Sequence, residues 1–344
     1  MKKALTVIAA FTVITSVQAQ DAFMAPLVEQ SLLLGIDSAD SVVVVGERGH
    51  ILTSSDGTSY TQQTVPTTAT LTAVTIKDNH VWAVGHDATI LHSDDNGETW
   101  KIQFQHPELE KPFLDVLFFD QQHGIAIGAY GLFYRTRDGG NSWKRELHAT
   151  LLNPYDQEYL DEVKQDTPEY YEEELSAILP HLNRVRLVNN TLYLVGEAGL
   201  VAKSVNHGET WERMETGYEG SFQDVKFIGH DTMMIVGLRG HVFLQKDQGE
   251  WEYVPTCLSG SLNVILPGEN KTLSLLGNNG FIVQLPATPQ TAEFKPYSPR
   301  SECESTADMT TQQLKDKASI VNVTRFDGKV IAVTANGVKN LDLE

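Results

Sequence analysis

The chain has 344 residues, with 26 Lys or Arg against 45 Asp or Glu, and a formal net charge of −19 at pH 7. Such an acidic surface repels the phosphates of nucleic acids and anionic lipids, so we exclude both as partners. The length exceeds that of a typical domain, although closed repeat architectures commonly fold at this length as one unit.

The N-terminal residues 1–19 have the pattern of a secretory leader. Lys2 and Lys3 precede an apolar stretch, and small residues stand at Val17 and Ala19. We predict cleavage near Ala19, which leaves residues 20–344 as a single domain in the periplasm or outside the cell. An uncleaved leader, the alternative, would tether the chain to the inner membrane. No later segment approaches the roughly twenty apolar residues of a transmembrane helix, so we expect no membrane insertion after cleavage.

Beyond the leader, one sequence unit recurs. It starts with apolar residues, passes through a Val-Gly pair or a close variant of it, and in most copies turns at a second Gly three residues later. We expect the first glycines, Gly46, Gly128, Gly196 and Gly237, to supply the positive φ of a tight hairpin. Seven copies are present, at residues 44–60, 83–100, 126–143, 194–211, 235–251, 275–285 and 332–344.

Three copies end in a fixed closing phrase: Ser or Thr, then Asp or Asn two residues later, Gly four later and Trp seven later. The residues are Ser93, Asp95, Gly97 and Trp100; Thr136, Asp138, Gly140 and Trp143; and Ser204, Asn206, Gly208 and Trp211. The polar side chains can bond the backbone amides of a turn, and the Trp can be buried between repeats. We interpret these residues as scaffold and disfavour the alternative of Asp95 and Asp138 as catalytic acids or metal ligands.

Within each copy, short runs of β-branched and aromatic residues are bounded by Gly, Asn and Asp, which predicts short antiparallel strands. Four strands in about forty residues are typical of a propeller blade. We therefore predict an all-β, seven-bladed β-propeller of four-stranded antiparallel blades. The seventh copy ends at its third strand, and we predict that residues 23–30 supply the fourth strand and close the ring, because an open ring would expose strand edges.

Two insertions interrupt the repeat. Residues 151–182 are predicted to contain a short helix from about Thr167, because Pro168 suits a first turn, with Tyr170, Leu175 and Ile178 as its buried stripe. Residues 286–317 replace the closing phrase of the sixth copy and are predicted to form an ordered loop.

The chain contains two cysteines, Cys257 and Cys303. In an oxidising compartment we predict that they form a disulfide, the alternative being two unpaired thiols that are too far apart to meet.

The combination of Val-Gly-x-x-Gly, a strand and the closing phrase resembles the photosystem II stability and assembly factor family, in which the closing phrase is the Asp-box, or bacterial neuraminidase repeat. The resemblance implies a seven-bladed, non-catalytic propeller that binds a membrane-protein partner, partly through a patch of arginines. The candidate matches to that patch are Arg48 and Arg239. The patch is thinned, since the equivalent place in the other copies is held by Asp87, Tyr130, Ala198, Asn279 and Asn336.

If Asp-box turns join third to fourth strands, the Gly-x-x-Gly turns lie on the opposite face, together with the connections between blades. We expect this face to carry both insertions and to bind a protein segment or polar ligand, with the two arginines as bidentate carboxylate anchors. The alternative is a set of solvated turn residues. The candidate binding residues of this face are Arg48, His50, His86, Asp87, Tyr130, Glu197, Arg239 and His241. His50 and His241 each follow an Arg-Gly pair, so we expect them in equivalent settings.

The sequence motifs do not favour an enzyme. The sequence contains no Gly-x-Ser-x-Gly elbow, phosphate-binding loop or His-Glu-x-x-His helix, and its 11 histidines are scattered. We predict no cofactor and no metal. The favoured function is a non-catalytic, monomeric periplasmic propeller that binds an envelope or membrane protein as an assembly or accessory factor. The alternative is a carbohydrate-active propeller, either sialidase-like or another glycoside hydrolase.

Overall fold

The computed structural model describes residues 20–268, 272–295 and 303–343, so the predicted leader lies outside the described residues. In these ranges the strands form seven antiparallel sheets in chain order, six of four strands and one of three. The first strand of each sheet packs against the first strand of the next, and the first sheet packs against the seventh. The sheets are therefore blades around a central axis, and the predicted seven-bladed β-propeller is confirmed.

The strands of the first three blades follow one another from the axis outwards. The first blade contains β1 (Leu33–Ser38), β2 (Val42–Gly46), β3 (Ile51–Ser54) and β4 (Thr61–Gln62). The second contains β5 (Leu71–Lys77), β6 (His80–Gly85), β7 (Thr89–Ser93) and β8 (Lys101–Phe104). The third contains β9 (Phe113–Phe118), β10 (Gly124–Gly128), β11 (Phe133–Thr136) and β12 (Lys144–Arg145).

The remaining blades repeat this order. The fourth contains β13 (Leu182–Val188), β14 (Thr191–Gly196), β15 (Val201–Ser204) and β16 (Glu212–Arg213). The fifth contains β17 (Phe222–Ile228), β18 (Thr232–Gly237), β19 (Val242–Lys246) and β20 (Trp251–Tyr253). The sixth contains β21 (Leu262–Pro267), β22 (Thr272–Gly277), β23 (Phe281–Pro286) and β24 (Thr310–Gln313). The seventh contains β25 (Ile320–Phe326), β26 (Lys329–Thr334) and β27 (Gly337–Leu341).

The ring is not closed by the strand that the sequence predicts, and this part of the prediction is wrong. Residues 23–30 contain no strand and end in the 3-10 helix Val28–Gln30. Pro26 has no N–H to donate to a ladder, which opposes strand pairing here. Closure instead comes from the inner strands, since β25 packs directly against β1.

The first insertion forms a helical hairpin rather than one helix, with α1 (Pro154–Asp166) followed by α2 (Tyr171–Ile178). The Oδ1 atom of Asn153 accepts hydrogen bonds from the amides of Tyr155 and Asp156, both at 3.0 Å, which caps α1. An Asn followed by Pro is a start signal for a helix, and it was present in the sequence.

One predicted member of the buried stripe is exposed. Tyr170 is 52% exposed, because it belongs to the 3-10 helix Pro168–Tyr170 and precedes α2. Leu175 is buried, together with Leu160 of α1, in the core between the third and fourth blades, and Ile178 packs against the same core. The hairpin is thereby fixed onto the ring.

The second insertion starts on the other face, which corrects the expectation that both insertions share one face. It joins β23 to β24, the third and fourth strands of the sixth blade, and so leaves the ring at the Asp-box end. It then follows the outer edge of the fifth blade, where Ala292 pairs with Tyr253. Cys303 forms a disulfide with Cys257, which lies in the connection between the fifth and sixth blades.

Candidate binding face

The first glycines of the Gly-x-x-Gly turns do not have the positive φ that the sequence analysis expects. Gly46, Gly128 and Gly237 have φ of −168°, −170° and −164°, which is extended backbone open to any residue. Gly196 is not among the glycines with positive φ either. A Cβ at each of these four positions would overlap a carbonyl oxygen of the preceding blade connection. The first Gly is therefore required by close backbone approach, not by its φ.

The positive φ falls on the residue before the second Gly. Arg48, Tyr130 and Arg239 have φ of 55°, 52° and 55°, and the glycines that follow are also left-handed. This conformation places the side chain at the tip of the turn, so that the Arg48 side chain is 73% exposed and Tyr130 is 49% exposed. Each of these turns thus presents one side chain to solvent, and the backbone of the turn does not depend on which side chain it is.

The two arginines do not converge. Arg48 stands on the first blade and Arg239 on the fifth, nearly opposite each other on a ring of seven blades. Arg48 has Glu47 as a neighbour, with 3.9 Å between Nε and Oε2. The two arginines therefore cannot bind one carboxylate together, and their role as separate carboxylate anchors stays a prediction.

The two histidines after Arg-Gly occupy different settings, which corrects the expected equivalence. His50 is 2% exposed, and neither of its ring nitrogens has a hydrogen-bond partner among the described residues. His241 is half-buried, stacks on Tyr218 with 4.5 Å between ring centroids, and its Nδ1 lies 2.9 Å from the carbonyl of Leu238. Burial lowers the pKa of both, so both imidazoles are neutral at pH 7.

His86 and Asp87 lie at the turn of the second blade. Both are exposed, and the carbonyl of Asp87 accepts a hydrogen bond from the amide of His106 at 2.9 Å. Neither residue lines the groove described next.

Tyr130 and Glu197 are the two candidates that the fold brings into one groove. This groove, of about 220 Å³, lies between the third blade, the fourth blade and the helical hairpin. Asp156 of α1 and Ile178 of α2 also line it, with Leu179, Pro180 and Arg213, and the Nε of Arg213 lies 2.9 Å from a carboxylate oxygen of Glu215. The groove therefore combines an exposed aromatic ring, two carboxylates and an apolar wall.

Residues that the sequence analysis did not single out hold Tyr130 in place. The His181 ring meets the Tyr130 ring edge-on, with 4.5 Å between centroids, and the Nδ1 of His181 lies 3.9 Å from a carboxylate oxygen of Glu197. The Nζ of Lys111 lies 5.5 Å from the centroid of the Tyr130 ring. The clue was the first insertion itself, which ends one residue after His181.

The electrostatics of this groove are set by the hairpin. Residues 154–178 contain nine acidic residues and one lysine, a net charge of −8 within a chain of net charge −19. Most of these carboxylates are exposed. The groove therefore favours a cationic ligand and disfavours an anionic one.

The innermost strands carry a second polar set that the sequence analysis missed. Its members are Asp37, Asp115, Arg184, Arg186, Asp224 and Lys226. Arg186 of the fourth blade acts electrostatically on Asp37 of the first, so these side chains meet near the axis. The signal in the sequence was two charged residues, two positions apart, in each of the inner strands β13 and β17.

The acids of this axial set join neighbouring blades. Asp37, Asp115 and Asp224 accept hydrogen bonds from the amides of Ile76, Val185 and Ile265 at 2.8, 2.9 and 3.1 Å. Burial opposes ionisation of Asp224, but Arg186, at 3.2 Å, outweighs it, and the pKa of Asp224 is lowered. Three acids and three bases balance, so we interpret the set as internal bracing of the ring.

At the opposite end, the Asp-box turns form one repeated hydrogen-bond network. The Oγ of Ser93 accepts from the amide of Gly97 at 2.8 Å, and Asp95 Oδ1 accepts from the amide of Thr99 at 2.9 Å. The same bonds recur from Thr136 and Asp138, and from Ser204 and Asn206. Trp100, Trp143 and Trp211 pack into the cores between successive blades.

The Asp-box acids are held in their charged form by this network. Although desolvation opposes ionisation, the hydrogen bonds from Thr99 and Ser93 lower the pKa of Asp95 to about 2. In the described ranges, no group of three or more His, Cys, Asp or Glu side chains could hold a metal ion. No helix in that part of the chain is long and apolar enough to cross a membrane.

A family model described as "Photosynthesis system II assembly factor YCF48" matches residues 101–266. "Photosystem II assembly protein Ycf48" of Synechococcus sp. (strain JA-2-3B'a(2-13)) is 32% identical over 72 residues, which are 21% of this chain and 22% of that protein. "Photosystem II assembly lipoprotein Ycf48" of Synechococcus sp. (strain CC9902) is 24% identical over 175 residues, 50% of this chain and 44% of that protein. The aligned regions thus span less than half of either relative.

Solved structures share the fold. "YCF48 bound to D1 peptide" superposes with a TM-score of 0.62 at 15% identity, covering 92% of this chain and 94% of that one. "YCF48 from Cyanidioschyzon merolae" gives a TM-score of 0.62 at 15% identity, covering 91% and 96% of the two chains. The WD40 propeller domain of Doa1 reaches the same TM-score of 0.62 at 11% identity, so these likenesses establish fold alone. The match over residues 101–266 and the two curated relatives confirm the resemblance to the photosystem II assembly factor family, and the solved structures confirm the seven-bladed propeller fold.

Proposed function

We propose that this chain is a non-catalytic accessory or assembly factor of the cell envelope that binds a segment of a membrane protein. The curated relatives are named as assembly proteins, and a Ycf48 propeller has been solved with a D1 peptide bound. We further propose that residues 1–19 direct export and are removed, so that residues 20–344 act as a monomer in the periplasm.

The observation that carries this proposal is the groove beside Tyr130. It lies on the Gly-x-x-Gly face, where the helical hairpin adds a wall that the other blades lack. Tyr130 offers a ring for stacking, and Asp156 and Glu197 offer carboxylates for Lys or Arg. A basic segment with one apolar or aromatic anchor therefore suits the groove best.

The charge of the groove also favours a basic partner over an acidic one. The hairpin carries a net charge of −8, whereas the two arginines of the turns stand on distant blades. Long-range attraction would speed the encounter with a basic segment, and this attraction weakens as salt is raised.

Affinity capture from envelope membranes tests the proposal. The bait is the exported chain, compared with a Tyr130→Ser/Glu197→Gln variant. We expect one stoichiometric membrane protein, bound at least about fivefold more weakly by the variant, because truncating a central aromatic anchor costs more than about 1 kcal/mol.

The matched control is Arg48→Asn, which changes the equivalent turn position of the first blade. Full retention by this control, with loss in the groove variant, supports the groove. Loss in the control alone would move the site to the first blade. Turnover of glycan substrates by the purified chain would overturn the proposal in favour of a carbohydrate-active propeller.

A further inference from the structure

Within the described residues, the seventh blade has three strands, and each of the other six blades has a fourth, outer strand. In the first blade, Leu52 and Thr53 of β3 pair with Gln62 and Thr61 of β4. The corresponding residues of β27 are Lys339 and Asn340, because Val338 faces Val333 as Ile51 faces Val45. In the described ranges no strand pairs with this outer side of β27.

Several features that usually protect such an edge are lacking in β27. It contains no Pro, and its pairing with β26 continues without a register shift from Gly337 to Leu341. The N-terminal 3-10 helix meets only the start of β27, where the carbonyl of Glu29 lies against Gly337. Lysine on an edge strand often opposes pairing with another strand. Lys339, however, forms an ion pair with Asp316, with 2.7 Å between Nζ and Oδ2.

A groove of about 330 Å³ adjoins the far end of this edge, between the sixth and seventh blades. Arg325 and Lys329 line it, and Asp342 is the single acid in its described lining. Arg325 donates to the carbonyl of Pro267 at 3.2 Å, and Lys329 to that of Asp56 at 2.6 Å. Neither cation has a carboxylate within 4.0 Å in the described part of the chain.

Both cations, Arg325 and Lys329, line the groove at the end of β27 where a fourth strand would start. The fourth strand of a complete blade runs antiparallel to the third, so the first residues of an added strand would lie beside Leu341 and this groove.

We propose that an extended, acidic segment of a partner protein pairs with β27 as the fourth strand of the seventh blade. Main-chain hydrogen bonds to Gly337–Leu341 supply the affinity, and two carboxylates near the start of the segment meet Arg325, which reaches toward the sixth blade, and Lys329, which reaches toward the first. This surface lies on different blades from the groove at Tyr130 and takes a segment of opposite charge, so it is independent of the proposed function.

The test combines amide hydrogen exchange with a defined probe. The probe is an end-blocked peptide of about ten residues that starts with two Glu and continues with alternating Thr and Val, the composition of an added strand. In the full chain without peptide, we expect outward-facing amides of residues 337–341 to exchange faster than those of β3, which a fourth strand covers. The peptide should protect them.

Two controls isolate the backbone and the charges. The same peptide with N-methyl groups on its alternate amides should fail to bind, because it cannot pair. Arg325→Gln and Lys329→Gln should each weaken binding by up to about fivefold, as exposed ion pairs do. Lys101→Gln on the complete second blade should leave binding unchanged, since Lys101 is 60% exposed and lies far from the edge.

Other occupants give distinct outcomes, and each would overturn the proposal. Protection of residues 337–341 that disappears when residues 1–19 are absent would assign the edge to the chain's own leader. Protection that grows with protein concentration, together with a dimer in sedimentation, would assign it to a second copy. Absence of peptide binding to a folded chain would exclude strand addition.

Discussion

The two ends of the second, third and fourth blades make tight connections between strands by different means. Asp-box turns are held by side chains, with Ser or Thr and Asp or Asn bonding the turn amides. Gly-x-x-Gly turns are held by backbone approach, and their tip side chains make few contacts. Side-chain identity is thus fixed at the first end and free to vary at the second.

This difference explains where recognition can develop. At the Gly-x-x-Gly end, the tip residue varies from Arg to Tyr, Ala and Asn without loss of the turn, because only the backbone conformation is required. The hairpin and the groove beside Tyr130 are on the same side. We infer that binding specificity is built on this face because substitutions there cost little stability.

The largest expected effect concerns the link that ties the second insertion to the ring. A Cys257→Ser/Cys303→Ser variant should lose about 4 kcal/mol of unfolding free energy, since the disulfide closes a loop with a sequence separation of 46. Chemical denaturation measures this loss. Reductant should destabilise the parent chain and leave the variant unchanged, and an equal response of both would contradict the prediction.

The next prediction separates close approach from backbone φ. Gly237→Ala should cost about 2 kcal/mol, because its Cβ would overlap the carbonyl of Ser221. The matched control is Gly229→Ala, which has a φ of 72° but open space around it and should cost about 1 kcal/mol. Thermal unfolding ranks the two, and the reverse order would show that φ governs the turn glycines.

A smaller effect is expected at the Asp-box end. Asp95→Ala should cost about 1 kcal/mol, as loss of a cap does, whereas Asp95→Asn should cost little because Asn206 makes the same amide bond. Unfolding in denaturant measures both variants. Equal losses would mean that charge, not hydrogen bonding, stabilises the turn.

The parent chain and the Asp95→Asn variant should also differ in how their unfolding free energy depends on pH. The pKa of Asp95 falls from 3.8 to about 2 on folding, so its stabilisation is complete above 3.8 and is lost as pH falls through about 2. The parent chain should therefore lose more stability than Asp95→Asn between these pH values. Parallel curves would contradict the assigned pKa.

The smallest effect tests the freedom of the tip position. Arg48→Asn should change the unfolding free energy by less than about 0.5 kcal/mol, because Asn279 already holds the equivalent left-handed place in the sixth blade. Denaturant unfolding checks this value. A loss above about 1 kcal/mol would mean that the tip side chains also hold the turns.

Much of the site was visible in the sequence as separate pieces. Tyr130 and Glu197 were both identified from their turns, but nothing in their spacing indicated that they share a groove, since that depends on how the hairpin packs. Arg48 and Arg239 hold the same place in the repeat, yet the order of the blades puts them on opposite sides of the ring. Repeat position predicts local geometry and carries no information on proximity across the ring.

The sequence by itself determined the blade count, the strands and the Asp-box turns, because these depend on hydrogen bonds and apolar periodicity within one repeat. Only the tertiary structure decided how the ring closes, why the first glycines are needed, and which face the second insertion starts from. Each of these depends on contacts between segments far apart in the chain, such as Glu29 against Gly337 and β25 against β1. Such contacts leave no period in the sequence.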